Sequence, residues 1–247
     1  MRKRARYAAP ALLLVLALAP AAQAAEGTAP GATTPSGLVL LSNERSETRV
    51  ATPEALVRTR SRPDPGSTAG PRLRATTEHG APEVYLALAE ADGTDGRRWV
   101  RVRIPRRPNG QTGWVPREAL GRYRILNTFL EVDRSKLRVT LFRAGRRVMQ
   151  FPVGVGARST PTPGGHFWIR EKLRYKRDPM YGDRALGTSA YAPRLENWPL
   201  GGVIGMYGTS YPELIPGRPS HGCIRIRNRD IARLFKAVPV GTPLRIR

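Results

Sequence analysis

Glycine and proline cut the apolar sequence into strand-length pieces over most of this chain. With 25 Gly and 23 Pro among 247 residues, nearly every apolar run meets a turn signal before a helix could bury a full face. Where a period is legible it is two: Trp99-Val100-Arg101-Val102-Arg103-Ile104 alternates as a strand with one buried face does. One stretch differs. In 228–238, NRDIARLFKAV, residues Ile231, Leu234, Phe235 and Val238 share a helical face, Asp230 suits the first turn, and Asn228 is placed to cap it. The chain is therefore expected to be mainly β, with one short helix.

Residues 1–24 read as a cleaved secretory signal. MRKRARY is basic, AAPALLLVLALAP is apolar, and Ala22-Gln23-Ala24 is a small-x-small cleavage pattern. The apolar run is short for a membrane span, so an uncleaved anchor is the lesser alternative. Residues 25–45 are expected to form a flexible tether, its first part small, polar and proline-bearing. Cleavage lowers the formal charge from +23 to +19, because Arg2, Lys3, Arg4 and Arg6 leave with no acid. An exported chain this basic first meets wall polymers that carry carboxylates and phosphates, which makes anionic cell-wall polymers the expected partners. No nucleic-acid motif or basic-aromatic array is present, so nucleic acid is not expected, nor is a membrane after cleavage. An arginine-coated, merely solvated surface is the plain alternative.

Residues 46–122 carry ALVRTR, EVYLALAEA, WVRVRIP and WVP between the loops RPDPGSTAGP, DGTDGR and RRPNGQTG. Several short strands without a helix suit a small barrel. Their order resembles bacterial SH3-like domains, which implies a small SH3-like barrel of the kind that accompanies cell-wall enzymes. Trp99 and Trp114 are read as barrel packing rather than as walls of a ligand groove.

Residues 126–247 are richer in glycine. Arg138 to Phe142 and Val148 to Val153 flank a turn at Ala144-Gly145, and TPTPGG leads into a strand bearing His166 and Trp168. Val203 to Gly208 suits a central strand whose backbone is approached closely, and Pro243 to Ile246 reads as a further strand. Residues 174–200 are polar and irregular and are expected to form a lid or long insertion.

Cys223 is the single cysteine, so no internal disulfide can form. It is a packed residue, a site of intermolecular pairing or a reactive thiol. No metal is expected, since three histidines and one cysteine fall in no ligand pattern. A thiol reacts as the thiolate, which ordinarily forms near pH ~8.5. His221, Arg218, Arg225 and Arg227 could supply the positive surroundings that favour it. Gly222 permits a tight turn that would converge backbone N–H groups on an oxyanion. Ile224 to Arg227 alternates as a short strand.

The blocks TPTPGGHF, GGVIGMYGT, PGRPSHGCIRIRN and VGTPLRI resemble the catalytic domain of YkuD-type L,D-transpeptidases. The resemblance implies a β-sandwich domain with a short helix after the catalytic cysteine, no cofactor, and peptidoglycan stem peptides as donor and acceptor. Cys223 would attack the carbonyl between the third stem residue and a terminal D-Ala. The stem would be held as a thioester and passed to an amine of a second stem, giving a 3-3 cross-link. Water in place of the amine would make the same protein an L,D-carboxypeptidase.

One position departs from the family's pattern. Its first histidine, the usual proposed base, is Tyr207 here, and a phenol that ordinarily ionises near pH ~10 is a poor base at neutral pH. Tyr207 can still orient the site or donate a hydrogen bond. Three readings stand: His221 pairs with the thiolate, His166 reaches Cys223 as a substitute base, or turnover is lost and a wall-binding protein remains. His79 is assigned no chemical part. Arg225 is expected to clasp a stem carboxylate or to pair with an acid such as Asp230. Ser220 is expected to donate near the thiol or to order its loop. Trp168, Tyr191, Trp198 and Tyr211 are expected mostly to pack. The site is thus Cys223, His221 and Tyr207, with Gly222 and Ser220 around the oxyanion and Arg225 for substrate.

Overall fold

A computed structural model describes residues 37–178, 182–194, 197 and 199–247. The signal sequence, most of the tether and Trp198 lie outside the described residues. Thr34–Arg247 is one compact unit, built on two sheets.

The first sheet contains β1 (Val39–Leu40), β2 (Thr48–Ala51), β3 (Arg58–Arg60), β4 (Ala69–Arg72), β5 (Tyr85–Asp92), β6 (Arg98–Arg103), β7 (Thr112–Pro116) and β8 (Arg124–Leu126). Its order is β4-β3-β7-β6-β5-β2-β8, with β1 laid antiparallel on β5. The alternation read in β6 holds: Val100 and Val102 enter a core with Tyr85, Ala87 and Val115, while Arg101 is exposed. Trp99 and Trp114, 2% and 7% exposed, pack with Ala91, and the Trp99 indole N–H donates to Asp95 Oδ1 at 3.0 Å. They are packing residues. β1 falls inside the span expected to be tether, and Leu41 enters the core beside it. The apolar run Leu38 to Leu41 has a strand edge to pair with, which a spacer composition does not reveal.

The second sheet contains β9 (Thr128–Asp133), β10 (Arg138–Arg143), β11 (Arg146–Pro152), β12 (Gly154–Gly156), β13 (Gly165–Asp178), β14 (Gly182–Tyr191), β15 (Val203–Tyr207), β16 (Gly217–Ser220), β17 (Ile224–Arg225) and β18 (Pro243–Ile246). Their order is β11-β10-β9-β18-β13-β14-β15-β17-β12-β16. The pairs β9 with β18, β15 with β17 and β12 with β16 are parallel. Ala144 and Gly145, at φ 48° and 76°, supply the left-handed pair that a tight β10–β11 hairpin requires. Helix α1 (Asn228–Ala237) buries Ile231, Leu234 and Phe235 in one core with Leu186, Met206 and Ile224. Each such side chain contributes about 1.5–3 kcal/mol relative to exposure.

Three local expectations change. Residues 174–200 are not irregular at their start: β13 runs to Asp178 and pairs with β14, Lys172 against Leu186 and Arg174 against Arg184. That hairpin reads as polar because Arg174 and Lys176 on it are exposed. Arg227 rather than Asn228 is the N-cap of α1, with no side-chain cap. The Asn228 Oδ1 instead accepts the Thr209 N–H at 2.8 Å, tying the helix start to the segment after β15. β17 ends at Arg225, and the Ile226 N–H donates to the Tyr207 carbonyl as the chain turns into α1.

Segment 77–84 packs on β13 and β14. Arg170 and Glu83, 1% and 0% exposed, form an ion pair, and Arg170 Nη1 also donates to Glu78 Oε2 at 2.7 Å. The Trp168 indole N–H donates to the Val84 carbonyl at 2.8 Å, and the Tyr191 hydroxyl to Glu78 Oε1 at 2.7 Å. Burial pushes the Glu78 carboxyl up, but the Tyr191 hydroxyl and Arg170 outweigh it and hold it at about 2. Burial and the same bond push Tyr191 up to about 12. The two sheets are thereby joined through a buried polar seam.

Candidate active site

β15 sits between β14 and β17, and its parallel register with β17 sets Met206 against Ile224 and Tyr207 against Arg225. Cys223, the residue before β17, is half-buried at this junction. The Gly205 N–H donates to its Sγ at 3.5 Å, and the Tyr207 hydroxyl hydrogen-bonds the same sulfur. Residues two apart on a strand share a face. A Cβ on Gly205 would stand 3.2 Å from Tyr207 Cδ1, so glycine there leaves room for the tyrosine ring to lie along the strand. Burial pushes the Cys223 thiol up; the Gly205 N–H, the Tyr207 hydroxyl and the Arg225 charge pull it back without cancelling the rise.

The loop that presents the sulfur is ordered from within. Ser220 Oγ donates to the Cys223 carbonyl at 2.6 Å and accepts the Gly222 N–H at 3.2 Å. Ser220 is therefore a loop-ordering residue. Gly222 is at φ 126° and a Cβ would lie 3.1 Å from Ile204 Cδ1, which explains glycine at the turn. Its N–H is held by Ser220 Oγ within the turn. Thr162 Oγ1 donates to the Gly222 carbonyl at 2.7 Å, bracing the loop from TPTPGG. Neither Thr162 nor Gly205 is marked in the sequence as a neighbour of the cysteine. Their only signal is membership of the same motif blocks.

The remaining candidates are dispersed. His221 is exposed between β16 and β17. His166 does not stand with the thiol: it pairs with Arg245 across β13 and β18, and its Nδ1 lies 3.9 Å from Glu44 Oε2. Burial lowers its pKa, and the charges that act on it are Glu44, Arg103, Arg245 and Arg45. Arg227 donates to the Ile215 carbonyl at 2.8 Å and Arg218 to the Arg134 carbonyl at 3.0 Å. Of the basic residues near the motif, Arg225 is the one whose charge acts on the thiol. Its Nε is buried with no hydrogen-bond partner, and Asp230 pairs with Arg229 at 3.5 Å instead. Trp168 and Tyr191 are packed, whereas Tyr211 is 55% exposed. Among the described residues no group of three or more His, Cys, Asp and Glu could hold a metal.

Residues 127–246 match the family model of YkuD, the L,D-transpeptidase catalytic domain. In sequence the chain is similar to a probable L,D-transpeptidase, ErfK/SrfK, of Escherichia coli, 32% identical over 113 residues, which is 39% of this chain and 36% of that protein. It is also similar to the YkuD protein of Bacillus subtilis, 32% identical over 108 residues, 44% of this chain and 58% of that one. The chain thus spans 36% to 58% of these relatives. Among solved structures, L,D-transpeptidase 3 from Mycobacterium tuberculosis is similar at a TM-score of 0.43 and 12% identity, covering 79% of this chain and 98% of that one. An L,D-transpeptidase of Enterococcus faecium is similar at a TM-score of 0.38 and 21% identity, covering 49% of each.

Proposed function

We propose that this protein is an exported cysteine acyltransferase that joins peptidoglycan stem peptides through 3-3 cross-links. The observation that carries the reading is the grip on one sulfur, by the Gly205 N–H and the Tyr207 hydroxyl with Arg225 alongside, inside the block SHGCIRIRN of the matched region.

The mechanism follows from that grip. Cys223 rests as the thiol, since burial disfavours its charge. Sγ attacks the carbonyl of the third stem residue, the C–S bond forms, and D-Ala departs with the proton. Thiolate character in that step is favoured by the phenol, the Gly205 N–H and the guanidinium. The amine of a second stem then attacks the thioester, the C–N bond forms, and the C–S bond breaks to restore the thiol. Arg225, the cation whose charge acts on the thiol, is the group whose guanidinium receives a stem carboxylate. His221 is exposed beside the thiol in sequence.

The first sheet is read as an SH3-like module, and residues 1–24 as its export signal. Among the described residues no helix is long and apolar enough to cross a membrane. A groove of about 450 Å³ is lined by Arg122, Arg124, Arg170 and Lys172 against the single acid Glu171, a basic excess that suits an anionic wall polymer; sacculus binding should weaken with salt.

The test is incubation with disaccharide-tetrapeptide followed by mass spectrometry, with a carbapenem-adduct assay and Cys223→Ala alongside. Cross-linked dimers are expected. Shortened stems alone would make the protein an L,D-carboxypeptidase. An unmodified thiol and untouched muropeptides would leave the wall-binding reading, which the raised thiol pKa favours.

A further inference from the structure

His79 lies far from the motif in sequence, in the turn where Thr77 N–H donates to the Ala81 carbonyl at 2.8 Å. That turn packs on β13, and His79 Nδ1 stands 2.7 Å from Glu171 Oε1. The other carboxylate oxygen accepts Thr77 Oγ1 at 2.5 Å. Glu171 is 2% exposed, whereas the His79 side chain keeps 25% of its surface in solvent. One imidazole nitrogen is thus fixed by a buried carboxylate while part of the ring remains accessible.

The sheet register then relates this pair to the thiol. A bulge between Ile169 and Glu171 breaks the alternation of β13, and Glu171 is paired with Gly187. Gly187 is paired with Gly205, the residue whose N–H holds Cys223 Sγ. Register-paired residues project to the same face: Glu171, Gly187 and Gly205 form one rung, and the parallel β15–β17 register, Met206 against Ile224, continues it to Cys223 on the next strand. Both positions between Glu171 and Cys223 are glycine. A Cβ on Gly187 would lie 2.6 Å from Glu171 Oε1, so the acid side chain leans over Gly187 toward β15. Two strand spacings separate the Cα atoms of Glu171 and Gly205 by about 10 Å, and Cys223 lies one strand further, about 14 Å from Glu171, a gap for an acyl group on sulfur, an attacking amine and the imidazole to fill.

We propose that His79, oriented by Glu171, is the base that takes the proton of the acceptor amine in the second half-reaction. The proposal rests on the acyl-transfer reading above. The Nδ1–H donates to Glu171 and leaves Nε2 as acceptor, the tautomer that a carboxylate partner selects. The neutral amine attacks the thioester carbonyl, the C–N bond forms, and the C–S bond breaks with its electron pair on sulfur. Nε2 takes the proton that the amine sheds and returns it to the Cys223 thiolate, restoring both groups. The imidazole that β15 lacks at Tyr207 comes in this way from the other sheet, for the step that needs a base most.

The experiment separates the half-reactions in the full chain. For His79→Gln, acylation of Cys223 by a carbapenem is expected within about twofold of wild type. Transfer to a stem amine should fall about 100-fold, a typical loss for a general base. Hydroxylamine, a nucleophile that needs no base, should recover most of the lost turnover. Glu171→Gln should show the same pattern more weakly. Wild-type transfer by His79→Gln, or a parallel fall of acylation, transfer and melting temperature that hydroxylamine does not relieve, would overturn the proposal and leave His79 a brace between sheets. A wild-type protein that no carbapenem acylates would instead overturn the acyl-transfer reading, and this inference with it.

Discussion

The buried polar seam between the sheets and the half-buried surroundings of Cys223 are both charged, yet they are completed differently. In the seam every charge meets its opposite: Arg170 answers Glu83 and Glu78, and Glu78 also receives Arg74 and the Tyr191 hydroxyl. At the thiol, Arg225 has a buried Nε with no partner, and the sulfur is raised in pKa by its own burial. A buried ionic network that satisfies itself holds structure together. One that leaves a buried donor without a partner beside a nucleophile is shaped for something that arrives later.

Substitutions can break this contrast or sharpen it. The largest effect should come from Cys223→Ala, which is expected to abolish carbapenem adducts and cross-linked products while leaving the urea midpoint near wild type. Glu83→Gln should do the converse. By stranding Arg170 it should cost about 3–5 kcal/mol of stability, read by urea titration, and a Glu83→Leu/Arg170→Met pair should recover most of that loss. Tyr207→Phe removes a bond to the sulfur. Alkylation of Cys223 at pH ~7.5 should slow about tenfold, the effect of a single charge-assisted hydrogen bond, and its pH profile should move upward. Wild-type alkylation should itself rise only above the ordinary thiol range, given the direction of the shift. The smallest effect concerns acid. Glu78 is held at about 2 against an ordinary 4.5, so its contribution is present above 4.5 and lost as pH falls toward 2. Glu78→Gln should flatten the stability profile over that window.

The sequence shows the β class, the β10–β11 turn, the apolar face of α1 and the identity of Cys223, because each rests on local periodicity or on a contiguous block. It does not show what meets across the sheet. Gly205, Thr162 and His79 reach their partners through strand pairing or across the seam, and nothing within a few residues of any of them announces it. Asn228 reads as a helix cap for the same reason: its competing partner, the Thr209 N–H, lies in the segment after β15. Residues 174–178 read as irregular because a hairpin that extends past its core loses the alternation by which strands are recognised.

One feature of the topology bears on when the thiol comes into being. β18 lies between β9 and β13, parallel to the first and antiparallel to the second, so among the described residues it links the β9–β11 ribbon to the strands that carry the sulfur in the strand order. All of those strands are synthesised before it. A nascent polypeptide therefore holds two ribbons with unsatisfied edges until residues 243–246 emerge, and its folding must wait for contacts of long sequence separation. Cys223 is thus synthesised before the strand that joins its half of the sheet to the β9–β11 ribbon.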